Sequence, residues 1–178
     1  MIRRLLPAAL VATISSSAIA QSPTVTLLGY RTTVPAAWSS RAPASTMRLA
    51  EFTTPATGSA AGAEVVVYFF GKTQGGTVQA NTDRWKAQFS NPDGSPIKEK
   101  VTRDSAGALS LTFAEYHGTY ARGIGAGSSA GQAKPGQELI AAIVETPNGT
   151  MYVQLFGPEA SVNAQRDALT AFVKGLKP

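Results

Sequence analysis

Glu115 and His117 are the residues best suited to chemistry, because they stand two apart in a run, LSLTFAEYHGTY, that reads as a strand. Alternation puts them on one side of it. A carboxylate beside an imidazole suits a divalent metal or acid and base work. Two ligands make a poor metal site, however, and His117 is the only histidine in 178 residues; the plainer reading is a solvated strand face. Tyr116 and Tyr120 take the opposite face, with Gly118 between them, and either pack in the core or floor a groove. Arg122 follows just beyond. Ser129 offers a second chemistry, as the central residue of Gly127-Ser128-Ser129-Ala130-Gly131, the G-x-S-x-G spacing of a nucleophile elbow. An elbow needs a strand leading in, a helix leading out and a histidine later in the chain. Here His117 precedes the serine, and Pro135 stands where the helix would run.

Three other spacings fail on count. Gly123, Gly125 and Gly127 start a dinucleotide loop, but the third glycine is misplaced and no helix follows. Gly71-Lys72-Thr73 lacks the upstream glycine of a phosphate loop, since Val66 holds that position. Asn91-Pro92-Asp93-Gly94-Ser95 opens like a calcium loop, yet Pro96 falls where glycine is required and Thr102 where a bidentate glutamate is required. That stretch reads as a turn. The absence of cysteine removes disulfides, thiolate zinc sites, thiol nucleophiles and lipoprotein anchoring together. No metal and no cofactor are expected.

The elements that position these residues begin with residues 63–89. Within them VVVYFF, residues 65–70, is the unbroken β-branched and aromatic run of a central strand covered on both faces. Gly71, Gly75 and Gly76 break it. Val78, Thr82, Trp85 and Phe89 then recur at helical spacing, which predicts a helix over residues 77–89 that stops before Asn91-Pro92. Upstream, TVTLLG reads as a first strand and MRLAEF as a half-buried one. Residues 32–46 between them form a surface connection, with Trp38 plugging the edge of the core. Downstream, residues 98–103 are a charged edge strand or loop. Leu109, Leu111 and Phe113 alternate with small or polar residues in a half-buried strand that runs on through Tyr120. Residues 123–136, GIGAGSSAGQAKPG, have no period, and a loop of that length is functional or disordered in most domains. ELIAAIVE and MYVQLF make a hairpin about Pro147-Asn148-Gly149. Last, Ser161 is placed to cap a helix over residues 161–176, with Val162, Leu169, Val173 and Leu176 on one face.

The first twenty residues are a different kind of segment. Arg3 and Arg4 precede a short apolar run, residues 5–14, and Ala18 and Ala20 occupy the two small-residue positions of a cleavage site. This is the pattern of a secretory signal peptide cut after Ala20. Its apolar stretch is about half the roughly 20 residues a spanning helix needs, so no stable membrane insertion is expected and the mature chain starts at Gln21. The formal net charge is +5, of which Arg3 and Arg4 supply two. A surplus that small does not argue for nucleic acid. A periplasmic or secreted location follows from the leader.

Strands, a helix, antiparallel strands and a final helix give an α+β fold, a sheet of roughly five to seven antiparallel strands with helices against it. Residues 21–178 form one such domain after the 1–20 leader. The residues Met47-Arg48-Leu49-Ala50-Glu51-Phe52, Ala63 to Gly71, Gly75-Gly76, Asn81, Arg84-Trp85, Gln88-Phe89, Gly118-Thr119-Tyr120, Ala141-Ala142-Ile143-Val144-Glu145 and Gly157-Pro158 resemble a group of exported bacterial proteins known mostly as hypothetical. The element order also resembles the PsbP-like fold, an antiparallel sheet sandwiched by helices. That resemblance implies binding and assembly and no catalytic residues. The expected function is thus a non-catalytic binding domain for a protein or small ligand of the cell envelope, acting through Glu115, His117, Tyr116, Tyr120, Arg122 and Ser129. The competing expectation is a metal-assisted or serine hydrolase using His117 with Glu115 or Ser129, and a third is a structural envelope component.

Overall fold

The computed structural model describes residues 22–121 and 133–178. The expected leader and cleavage site, Arg122 and Ser129 lie outside the described residues. A hairpin comes first, β1 (Thr24–Leu27) and β2 (Tyr30–Thr33), followed by β3 (Ser39–Arg41), β4 (Arg48–Thr53) and β5 (Glu64–Phe69). Helix α1 (Val78–Lys86) leads into β6 (Phe89–Ser90), β7 (Glu99–Ala106) and β8 (Leu109–Tyr120). The hairpin of β9 (Lys134–Thr146) and β10 (Gly149–Pro158) then runs into α2 (Glu159–Lys174).

All strands after the first hairpin join one eight-stranded antiparallel sheet in the order β3-β4-β5-β10-β9-β8. The outer side of β8 is shared, by β7 against residues 109–116 and by β6 against Thr119 and Tyr120. The apolar run of β5 is internal, paired with β4 on one side and β10 on the other. Its Val65, Val66 and Val67 are all buried, as a strand without alternation requires.

Alternation along the longer strands splits the interior into two cores. Leu109, Leu111 and Phe113 of β8, Ile140, Ala142 and Val144 of β9, and Val153 and Leu155 of β10 meet α2 through Val162, Leu169, Phe172 and Val173. The intervening residues Ala114, Tyr116, Ala141, Ile143 and Tyr152 meet Trp85 of α1. Burial of this apolar area at about 25 cal/mol per Å² holds the helices on the sheet. Trp38 belongs to the first core, wedged between Phe52 and Phe172 at ring distances of 5.7 and 5.4 Å, with its indole N–H donating to Gln165 Oε1 at 2.9 Å. It packs, as its surroundings in the sequence suggested.

Four expectations are corrected. The sheet has eight strands, because β3 and β6, three and two residues long, are too short to carry a pattern. Helix α1 ends at Lys86, and Phe89 starts β6, where its Cα partner is Tyr120; aromatic contact across the sheet edge outweighs continuation of the helix. Thr77 caps α1 by accepting from the Ala80 N–H. Ser161 caps nothing: it sits inside α2, fully buried, and its hydroxyl donates to the Ala61 carbonyl at 2.8 Å. Finally, β8 is not half-buried. Thr112 and Ala114 are as enclosed as Leu111, since α1 covers the face that alternation alone leaves to solvent.

The tight turn between β9 and β10 makes one demand on backbone chemistry. Gly149 has φ +118°, and a Cβ there would stand 2.8 Å from Phe69 Cε2 and 3.0 Å from Lys72 Cα. Gly149→Ala is therefore expected to cost about 1–3 kcal/mol, from backbone strain with close approach added. Denaturant unfolding measures it, and an unchanged midpoint would contradict the geometry.

Candidate functional site

Glu115 lies on the α2 side of the sheet and is fully engaged. Its Oε1 accepts from Lys100 Nζ at 2.9 Å, and its Oε2 meets Arg166 of α2. Arg166 also reaches Glu138 Oε1 at 2.8 Å and Asn163 Oδ1 at 2.9 Å, so one guanidinium is held between two carboxylates. Burial raises the Glu115 pKa, but the hydrogen bonds from Lys100 and Arg166 outweigh it and hold the carboxylate below its usual range. Glu138 goes the other way. It is 5% exposed, its Oε2 has no hydrogen-bond partner among the described residues, and burial, helped by Glu159 and Glu115, lifts its pKa against the pull of Arg166.

His117 is exposed, opposite Glu138 in the β8–β9 register, and lines a shallow depression with Asn91, Asp93 and Lys98. The residues 91–95 beside it form the expected turn, closed by Asn91 Nδ2 donating to Ser95 and Pro96 and by the Ser95 N–H donating to Asp93. No hydrogen bond joins His117 to Glu115. The carboxylate is committed to two cations, and among the described residues no three histidine, aspartate or glutamate side chains gather as a metal set. Tyr116 is 1% exposed: its ring stacks near Phe89, its hydroxyl donates to the Thr82 carbonyl at 3.0 Å, and burial pushes its pKa up to about 12. It is a core residue with no surface to offer a ligand. Among the described members of the expected set, His117 lines the shallow depression and Tyr120 lines a second cavity.

That cavity is a groove of about 520 Å³ on the α1 side of the sheet, over β5, β10 and β9, beyond the part α1 covers. Its floor comes from alternate positions of three strands. Gln154 has Val66 and Ala141 as Cα partners, and Phe156 has Glu64 and Leu139. Tyr120 closes one wall, its ring 4.4 Å from that of Phe156, and Tyr68 stands toward the other end, stacked on Phe70. The side-chain amides of Gln154 and Gln88 and the Tyr68 hydroxyl have no hydrogen-bond partner among the described residues. The ends of β8 and β9, at Tyr120 and Lys134, both line the groove. Lys134, Pro135 and Gly136 belong to β9, which shortens the aperiodic stretch expected over 123–136; its residues 123–132 lie outside the described residues.

No family model matches the chain, and no curated protein matches it. Among solved structures it is similar to that of PA94, a protein of unknown function from Pseudomonas aeruginosa, with 15% identity, a TM-score of 0.49, and coverage of 88% of this chain and 96% of that one. Nothing about function passes across that distance.

The groove was not visible from the sequence, but one signal pointed to it. MYVQLF is apolar except for a glutamine in the middle, and Tyr152, Gln154 and Phe156 share a face. A polar residue at the centre of an internal strand requires either a partner or an opening above it. Among the described residues no helix is long and apolar enough to cross a membrane.

Proposed function

We propose that this chain is an exported, non-catalytic binding domain whose small ligand occupies the groove over β5, β10 and β9. The observation that carries the reading is the combination of an apolar floor, Val66, Leu139 and Phe156, with hydrogen-bonding groups that have no partner among the described residues, Gln154 and Gln88. Mostly apolar lining with a few convergent polar groups is the usual make-up of a ligand site, and about 520 Å³ falls within the usual range of volumes. The commitment of Glu115 to Lys100 and Arg166 moves the binding role away from the Glu115 and His117 face. Export rests on the leader pattern of residues 1–20.

The reading is tested with Nile red, a neutral and mostly apolar dye whose carbonyl can accept a hydrogen bond from the Gln154 amide, and the mature chain from Gln21 onward. Saturable fluorescence enhancement is expected. Gln154→Trp, which fills the groove, is expected to reduce it at least tenfold while circular dichroism stays unchanged. Equal enhancement by a folded Gln154→Trp would place the dye elsewhere and defeat the assignment.

A further inference from the structure

Resting on the groove as the binding site, we propose that its ligand is a neutral saccharide, a short oligosaccharide lying with its C–H face on Phe156 and its hydroxyls on Gln154 and Gln88. The groove's chemistry excludes the other classes one by one. Among the described residues its charged groups are Glu64, which already faces Arg41 at 3.4 Å, and a single exposed lysine, Lys134, at the end of β9. One ammonium at a rim is not the convergent cationic set that a phosphate or carboxylate ligand calls for. A purely apolar ligand would strip water from the Gln154 amide and return nothing, because Val66, Ala141 and Phe156 around it have no polar side-chain atom. A peptide added as a strand finds no edge, since β5, β10 and β9 are all paired on both sides.

What remains is a molecule without charge, with one apolar face and groups that both donate and accept hydrogen bonds. An amide side chain offers a carbonyl and an NH₂ together, so it matches a hydroxyl that gives one hydrogen bond and takes another. The half-buried aromatic wall supplies the second half of the fit. Tyr120 and Phe156 stand 4.4 Å apart at the ring centroids, and the negative face of an aromatic ring attracts polarised C–H groups such as those of a pyranose.

The test is isothermal titration of the mature chain with cellobiose and with N,N′-diacetylchitobiose, alongside displacement of Nile red. At least one of the two is expected to bind and to displace the dye. Gln154→Leu, which keeps the volume and removes the amide, is expected to weaken the sugar at least tenfold and leave the dye bound. Gln88→Ala, at a half-buried position next to the end of α1, is expected to weaken it several-fold and covers the case in which Gln154→Leu does not fold. If the dye binds and neither sugar does, the saccharide class is wrong and the groove stands; if neither dye nor sugar binds, both readings fall. Sugar binding that is unaltered in Gln154→Leu and Gln88→Ala also overturns the proposal.

Discussion

Phe172→Ala is expected to lower the free energy of unfolding by about 3–5 kcal/mol, a large share of what a domain of this size has. Phe172 is 1% exposed and holds the aromatic triangle together, with ring distances of 5.4 Å to Trp38 and 5.9 Å to Phe52. Truncation removes its own buried surface and leaves a void that two large rings border and cannot collapse into. The same residue's carbonyl accepts from Thr32 Oγ1 at 2.6 Å, which ties the β1–β2 hairpin to α2. Loosening α2 therefore loosens the hairpin. Guanidinium titration of wild type and variant gives the number, and Phe172→Leu, which fills most of the space, is expected to lose less than about 2 kcal/mol. A loss below about 1 kcal/mol for alanine would mean that the triangle is not a packed core.

Arg166→Ala is expected to cost about 3 kcal/mol near neutral pH, because it strands Glu138 in the interior with no partner on either oxygen. The loss has a pH signature. Glu138 has a folded-state pKa above its unfolded one, so the folded protein binds its proton more readily, and its contribution to stability falls as pH rises from the ordinary carboxylate range through the raised folded value. Glu115 has a lowered folded pKa, so its contribution is present above the unfolded value and is lost as pH falls through the folded one. One guanidinium thus serves two carboxylates with opposite slopes. Removing Arg166 steepens the Glu138 slope and weakens the Glu115 slope, so the variant's deficit is largest at high pH and shrinks on acidification. Glu138→Gln alone is expected to raise the melting temperature at neutral pH and to abolish the rising-pH loss, and the double variant to recover most of what Arg166→Ala loses. Thermal melts from about pH 4 to pH 8 decide it. A deficit of Arg166→Ala that grows toward acid pH would mean that Glu115, not Glu138, dominates.

The fold was legible where local chemistry and pattern agreed. VVVYFF, the alternation of Leu109, Leu111 and Phe113, and the Asn-Gly turn before Met151 each identify a strand or hairpin from a few neighbouring residues, and the structure has all of them. The errors fall where a distant partner decides. Phe89 leaves the helical pattern because Tyr120 awaits it on β8, and Ser161 turns inward because Ala61, a hundred residues away, presents a carbonyl. The site was less legible than the fold for the same reason. Glu115 and His117 have the residue types for chemistry, but Lys100 and Arg166 occupy the carboxylate, and neither is near it in sequence. The groove draws Val66, Gln154 and Leu139 from three strands whose adjacency no local pattern encodes.

The pairing of β5 with β10 also sets a timetable. Phe69 lies opposite Met151, so the most apolar strand must wait for a segment about 80 residues further along before its second neighbour exists. Until then it has β4 on one side only, with the three-residue β3 beyond, and so small a set of strands is marginal in water. Closing so long a loop is slow, so the β5–β10 pairing forms late, after local pairs such as the β7–β8 hairpin. A polypeptide with this wiring completes the centre of its sheet only when the β9–β10 hairpin arrives.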